Sequence, residues 1–209
     1  MRVAGIDGTR GGWVAIVLED GRFAGDLVLR PVETDFAVLE AVEVIAIDVP
    51  IGFGPRAADR LARTRLKGAG SGVFTIPAEA ALAGSFGPGR GISAQAHALG
   101  PRIRHVTRLA RADGRLHEVH PELSFRAMNG GRPLAGTKRS AAGSRERAGL
   151  VRRGGIDLRR LASAGTAPLH DVLDAAAAAW TAHRIGLGAA ECLPCPPELV
   201  GDVPVAIWC

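Results

Sequence analysis

The order of strands at the start of the chain limits the possible folds most strongly. Residues 3–7, 13–18 and 23–29 are apolar runs separated by glycine-containing turns, which predicts an antiparallel meander of three strands. Apolar positions near helical spacing at 36–44 then precede a buried run at 44–49. Strands of one sheet that are joined through a helix pair in parallel. The order βββαβ therefore predicts an α/β fold with a mixed sheet flanked by helices.

The rest of the chain adds helices and a few strands to this start. Helical pieces at 56–67, 77–83 and 92–112, separated by glycine-rich stretches at 68–72 and 84–91, predict a helical insertion over 55–115. Further strands are predicted at 116–120 and 203–208, and further helices at 140–153, 158–164 and 167–186. The sheet would then have five or six strands. A chain of 209 residues, 47% of them hydrophobic, can form one domain over 1–209.

The cysteines and the hydropathy pattern exclude several classes of protein. Cys192, Cys195 and Cys209 are an odd number near one end of a chain that needs no disulfides for its core, so we expect free thiols in a reducing compartment. The longest apolar runs are too short to span a bilayer, and the first residues lead into a strand and not into a signal peptide. We therefore expect a cytoplasmic protein with no membrane segment.

The charge of the chain is distributed unevenly. The formal net charge is +5, but residues 56–160 contain 21 Lys and Arg against 7 Asp and Glu, so the flanking residues are acidic. All but two of the basic residues are arginine, whose planar guanidinium suits phosphate oxygens. This pattern favours nucleic acid as a partner, although a solvated basic face would have the same composition. The candidate phosphate-binding residues are Arg10, Arg56, Arg63, Lys138 and Arg147.

Four aspartates occupy positions that can converge. Asp7 and Asp48 end two apolar runs, and Asp171 and Asp174 lie at i and i+3 on the predicted helix 167–186. The two strands carry small residues before their aspartates, and the helix face with Asp171 and Asp174 continues through alanines. Small residues on both sides allow the helix to approach the sheet closely. The sequence therefore predicts an acidic cluster between the strand ends and the helix.

A cluster of carboxylates has a clear chemical use. Carboxylates that face one another repel and have raised pKa values unless a cation neutralises them, and oxygen ligands alone select Mg²⁺ or Mn²⁺. Two such ions about 4 Å apart can activate water and stabilise the leaving oxygen of a phosphodiester. We expect Asp7, Asp48 and Asp174 to hold two ions. Each aspartate taken singly is also compatible with capping a turn or a helix.

Several segments resemble a known family in the order in which they occur. They are GIDGTRGGW at 5–13, IDVPIG at 47–52, EVHPE at 118–122 and DVLDA at 171–175. Together they resemble domain of unknown function 429, whose members are described as predicted nucleases with an RNase H-like fold. The resemblance covers most of the chain and implies a metal-dependent nuclease.

The resemblance also implies roles for individual residues. Asp7 and Asp48 correspond to the acids on the first and fourth strands, and Asp171 and Asp174 to the acids on the late helix. The helix-borne glutamate of true RNase H enzymes has no clear match. Glu122 is one further candidate for the catalytic set, with Glu118 as the alternative, and His170 is a candidate proton shuttle.

Two other functional classes remain open from the sequence. Sugar kinases and actin-like ATPases also begin with a strand and a D-x-G-T hairpin that holds phosphate, which Asp7-Gly8-Thr9 matches, but they enclose ATP between two such domains. A non-catalytic binding module on the same fold would keep the acids without using them. Dependence on a divalent metal, on nucleotide, or on neither distinguishes the three classes.

Overall fold

The structure is a computed structural model, and it describes residues 1–66, 73–87, 91–138 and 140–209. The predicted glycine-rich stretch 68–72, position 67 of the helix before it, and residues 88–90 of the second glycine-rich stretch lie outside these ranges. The strands are β1 (Arg2–Thr9), β2 (Gly12–Glu19), β3 (Arg22–Leu29), β4 (Val44–Ile47), β5 (Leu116–Val119), β6 (Cys192–Val200) and β7 (Val203–Trp208). The α-helices are α1 (Ala57–Arg65), α2 (Ala94–Ala112), α3 (Pro121–Met128), α4 (Ala141–Arg153) and α5 (Leu169–Gly186).

The strands form one mixed sheet in the order β3-β2-β1-β4-β5-β7-β6. The meander β1–β2–β3 is antiparallel, as predicted, whereas β1, β4, β5 and β7 are parallel neighbours. The α/β fold with a mixed sheet is therefore confirmed. Because β1 and β4 run side by side in the same direction, their carboxyl ends lie at one edge of the sheet.

The predicted count of five or six strands is wrong, because β6 makes a seventh. Pro194, Pro196 and Pro197 in this segment argue against a strand, since proline cannot donate to a sheet ladder. The structure resolves the conflict by placing β6 at the sheet edge. It pairs with β7 at its two ends, and the register is interrupted between Leu193 and Glu198, where the prolines lie. Cys192, Cys195 and Cys209 are free thiols, as expected.

The helices differ from the prediction at four places, one of which is the predicted helix 77–83, where the structure has a 3-10 turn at Glu79–Leu82. The region 36–44 contains a single 3-10 turn, Ala37–Leu39, since the apolar spacing of Phe36, Leu39 and Val42 is three residues and matches a 3-10 helix. The predicted helix 158–164 is replaced by two short 3-10 turns. Helix α3 was not predicted, because Pro121 suggests the end of a strand. In the structure Pro121 is the first residue of the helix, a position that proline favours.

Helices cover both faces of the sheet. One face packs against α1 and α2, both within 55–115, through apolar residues such as Ile6 and Ile103. That this segment is an insertion into a single domain stays a prediction. The other face packs against α3, α4 and α5. Over the described ranges, none of the helices combines the length and hydropathy needed to cross a membrane.

The predicted close approach of α5 to the sheet is confirmed at Gly5. A Cβ on Gly5 would overlap the backbone of Ala175 and Ala179, so this position of β1 requires glycine. Ala46 lies beside Gly5 on β4, and both pack under the alanines of the helix. The helix can therefore bring its own side chains directly over the ends of the two strands.

Candidate active site

The sheet places two of the predicted acids side by side. Asp7 lies near the end of β1, and Asp48 directly follows β4. The Asp48 amide donates a hydrogen bond to the Ile6 carbonyl at 2.9 Å, so the pairing of the two strands extends one residue past β4. The Asp7 carboxylate accepts a hydrogen bond from the Gly8 amide at 2.6 Å, which fixes its direction.

Helix α5 supplies the third acid. Asp174 lies in its second turn and is only 3% exposed, because the helix packs so closely on Gly5. Asp7, Asp48 and Asp174 each have a carboxylate oxygen within 4.8 Å of the other two. Asp48 follows Asp7 by 41 positions and Asp174 follows Asp48 by 126 positions, and the three form one acidic cluster.

Burial and mutual repulsion disfavour the ionised forms of these acids. Burial raises the pKa of Asp7 well above its ordinary value, and the charges of Asp48 and Asp174 raise it further. The pKa of Asp48 is also raised well above its ordinary value, by burial and by Asp174, while Lys138 opposes the shift. Burial raises the pKa of Asp174 to about 6. A cation that bound all three acids would therefore relieve a substantial electrostatic cost.

Lys138 is a basic side chain in contact with the cluster. Its Nζ lies 3.5 Å from the Asp174 carboxylate, and about half of its side chain is exposed. Burial alone would lower the pKa of Lys138, but the charges of Asp174 and Asp48 outweigh it and raise the pKa. The lysine therefore carries a positive charge at the mouth of the acidic cluster.

The cluster lies in a cleft of about 970 Å³. This volume is at the upper end of the range for small-molecule sites. Charged residues of the cleft include Lys138 and Arg102 beside the acids, and apolar residues include Val73, Phe74 and Leu99. The cleft thus combines many charged side chains with an apolar part formed by Val73, Phe74 and Leu99.

Arg56 holds the loop that carries Asp48. Its guanidinium donates to the Glu118 carboxylate at 2.6 and 2.8 Å and to the Ile51 carbonyl at 2.7 Å, and it also pairs with Asp59. The Ile51 amide donates to the same Glu118 carboxylate at 2.7 Å. All three charged residues are buried. These contacts give Arg56 a structural role and occupy Glu118, and a phosphate contact by Arg56 stays a prediction.

Glu122 and Arg147 form a second ion pair beside the cluster. Arg147 donates to both carboxylate oxygens of Glu122, at 2.7 and 2.8 Å, and to the Gly136 carbonyl at 3.0 Å. Arg147 is buried, so it too has a structural role, and its contact with phosphate stays a prediction. Both residues line the cleft, and Glu122 contributes no oxygen to the group formed by the three aspartates.

The other predicted site residues lie outside the group of three aspartates, although Asp171 is close enough for its charge to raise the pKa of Asp7. Asp171, in the first turn of α5, is paired with the exposed His170 at 3.1 Å, and neither of them lines the cleft. Arg10 is exposed in the turn between β1 and β2. Arg63 donates to the Thr75 hydroxyl at 3.1 Å and does not line the cleft either.

Sequence reasoning missed Arg102, which lines the cleft beside Asp7. Its guanidinium packs over the Trp13 ring and donates to the Thr9 carbonyl at 2.6 Å. A Cβ on Gly8 would lie 3.0 Å from the Arg102 Nε, so glycine leaves room for this side chain. Arg102 is one of many arginines in the basic segment, and no local pattern distinguishes it.

The fold and the site together define a class of protein. It is an α/β protein in which parallel strand ends and a closely packed helix bring three carboxylates into one cleft. The chain belongs to the family described as protein of unknown function (DUF429), whose sequence profile matches residues 5–199. This agrees with the resemblance in the sequence motifs.

A solved structure and the curated proteins provide two further comparisons. The structure is similar to the Thermus thermophilus RuvC structure, with 17% sequence identity and a TM-score of 0.43, over 90% of this chain and 98% of that one. At this level of similarity we draw no conclusion from it. No curated protein matches the sequence.

Proposed function

We propose that this protein is a Mg²⁺- or Mn²⁺-dependent nuclease with an RNase H-like fold. The observation that carries the proposal is the group of three carboxylate oxygens, from Asp7, Asp48 and Asp174, within 4.8 Å of one another in a cleft. The central sheet, with its antiparallel meander and parallel neighbours, and the family membership support the fold assignment.

The donor set fits a hard divalent cation. All three donors are carboxylates with raised pKa values, and Lys138, which is half exposed, lies 3.5 Å from Asp174. Three carboxylates and one lysine leave negative charge that a divalent ion would neutralise. When bound, such ions would activate water and stabilise the oxygen that leaves the phosphodiester.

A second ion requires further oxygen donors. Glu122 gives both of its oxygens to Arg147, and Asp171 is paired with His170. We therefore propose that Asp7, Asp48 and Asp174 hold the first ion, and that the substrate phosphate supplies donors for the second. Mg²⁺ commonly binds in this way, through a few carboxylates and substrate phosphates.

The protein's own residues would orient the substrate. Lys138, beside Asp174, and Arg102, beside Gly8, would pair with phosphate oxygens of the substrate. The Arg56–Glu118 pair keeps the Asp48 loop in place without touching the substrate. Since Arg56 and Arg147 are neutralised by glutamates, phosphate contacts in the cleft fall to Lys138 and Arg102.

The decisive experiment combines cleavage with metal binding. Wild type and Asp7→Asn would be incubated with labelled single-stranded and duplex RNA and DNA in Mg²⁺, in Mn²⁺ and in EDTA, and melting would be followed in the same buffers. We expect cleavage and a metal-dependent rise in melting temperature in the wild type alone. A wild type that shows neither, and that matches Asp7→Asn, would refute the proposal and favour a binding module. Nucleotide-dependent phosphate transfer would favour the kinase-like alternative.

A further inference from the structure

Helix α2 presents an ordered set of side chains to the cleft. Gln95, Leu99 and Arg102 all line it, and their spacing of i, i+4 and i+7 places them on one face of the helix. Arg102 lies next to Gly8 and hence beside Asp7. From Arg102 the helix rises about 4.5 Å to Leu99 and about 10.5 Å to Gln95. Along this face of α2, the positively charged Arg102 lies beside the acids, the apolar Leu99 comes next, and the amide of Gln95 lies farthest from the acids.

The remaining apolar surface of the cleft extends this set. Phe74 is partly buried, packs against the core and still lines the cleft, and Val73 beside it also contributes. Gln95 is exposed at the start of the helix, so its amide can both donate and accept hydrogen bonds. An aromatic ring, aliphatic groups and one amide suit a flat, apolar ring with polar edges.

We propose that this part of the cleft is a subsite for an unpaired nucleobase. Phe74 and Leu99 would contact the faces of the base, Gln95 would bond to its edge, and Arg102 would hold the phosphate next to Asp7. The proposal deepens the nuclease function and rests on it. It names the substrate class as a nucleotide outside a duplex, either within a single strand or free.

The volume of the cleft, about 970 Å³, is in the range of small-molecule sites, so a nucleotide fits in it. A base in a duplex has both faces stacked and its edge paired, so it cannot contact Phe74, Leu99 and Gln95 together. Enzymes that act on a single base take the base out of the duplex for the same reason.

The test compares strands with and without a base. We would measure kcat/KM in Mn²⁺ for a single-stranded decamer, the same decamer with one abasic residue at the cleaved position, the matching duplex, and a mononucleotide ester. Phe74→Ala should lower kcat/KM on the intact strand by about 5- to 150-fold, as expected for loss of one stacked base. It should leave kcat/KM on the abasic strand unchanged. The mononucleotide ester distinguishes a free nucleotide from a strand as the natural source of the base.

Two further variants serve as a control and as an independent test of the subsite. Phe86→Ala removes an exposed phenylalanine that contacts His97 and does not line the cleft, so it should leave all four rates unchanged. Gln95→Ala, at an exposed position, should alter the preference among bases without affecting melting. Gln95→Ala therefore tests the subsite even if Phe74→Ala unfolds.

The outcomes separate the two proposals. Equal rates on intact and abasic strands, or faster cleavage of the duplex, would overturn the base subsite and leave the nuclease proposal standing. Absence of metal-dependent cleavage of every substrate would overturn both.

Discussion

Replacing Asp174 by asparagine should stabilise the metal-free protein. Asp174 is 3% exposed and its pKa is raised from 3.8 to about 6, chiefly by burial. Keeping it ionised in the native state therefore costs about 3 kcal/mol at pH 8, where the carboxyl is ionised in both native and unfolded states. Asparagine removes this charge, and the contact with Lys138 that it ends is already included in the pKa of about 6. The expected gain is therefore about 3 kcal/mol.

The gain should depend on pH in a defined direction. Between about pH 4 and 6 the native state retains a proton that the unfolded state has released, so the stability of the wild type falls as pH rises through this window. Asparagine does not titrate. The advantage of Asp174→Asn should therefore be fully present at pH 8 and should fall to about 1 kcal/mol at pH 4.5.

Urea unfolding in EDTA would measure this effect. At pH 8 the midpoint of Asp174→Asn should exceed that of the wild type by about 1 M. Mg²⁺ at 100 times its dissociation constant should stabilise the wild type by about 2.7 kcal/mol and the variant very little, which offsets the difference. Asp202→Asn, in an exposed ion pair with Arg111, is the matched control and should leave the midpoint unchanged. An Asp174→Asn midpoint no higher than that of the wild type at pH 8 in EDTA would refute the electrostatic argument.

Three other substitutions test the supporting structure. Gly5→Ala should lower the free energy of unfolding by more than the roughly 1–3 kcal/mol typical of overpacking, because the new methyl group overlaps helix backbone. Ala178→Leu should lower it by an amount within that range. Thermal melting measures both effects. Glu118→Ala should cost about 3–5 kcal/mol in urea unfolding, because it leaves Arg56 buried with one partner fewer. Lys138→Ala should raise the pKa of Asp174 further and so move Mg²⁺ binding to higher pH, as titration calorimetry between pH 5.5 and 8 would show.

The positions of the acids could be predicted because they depend on local patterns. Alternation and turn residues define β1 and β4, parallel pairing brings their ends together, and helical spacing defines the face of α5. Small residues at Gly5 and along the helix then indicate close packing. Each strand or helix is predicted from neighbours within a few residues, and the general rule of parallel pairing together with the small residues then brings these distant elements together.

The partners of the charged residues could not be predicted in this way. The bond between Arg56 and Glu118 joins residues 62 positions apart, and that between Arg147 and Glu122 joins residues 25 apart. An arginine that binds phosphate and one that pairs with a buried glutamate have the same local sequence signature. Strand β6 was missed for a related reason, because only its pairing with β7 at the sheet edge makes its prolines acceptable.

Under the proposed function, the charge of the cleft predicts that a divalent ion binds before the substrate does. Among the residues that the structure describes, six carboxylates and four basic side chains line the cleft, so this lining has a formal negative charge although the segment 56–160 is strongly basic. Phosphate would be repelled until a divalent ion reverses this balance. Binding of a labelled single strand to the wild type, read as initial anisotropy after rapid mixing, should therefore be weak in EDTA and strong in Mg²⁺. In Mg²⁺ it should weaken as salt rises, by about 0.7 in log affinity per unit of log salt for each phosphate contact. Equally tight binding in EDTA would show that the strand is held elsewhere, on the outer basic surface, and that Lys138 and Arg102 are not its phosphate contacts.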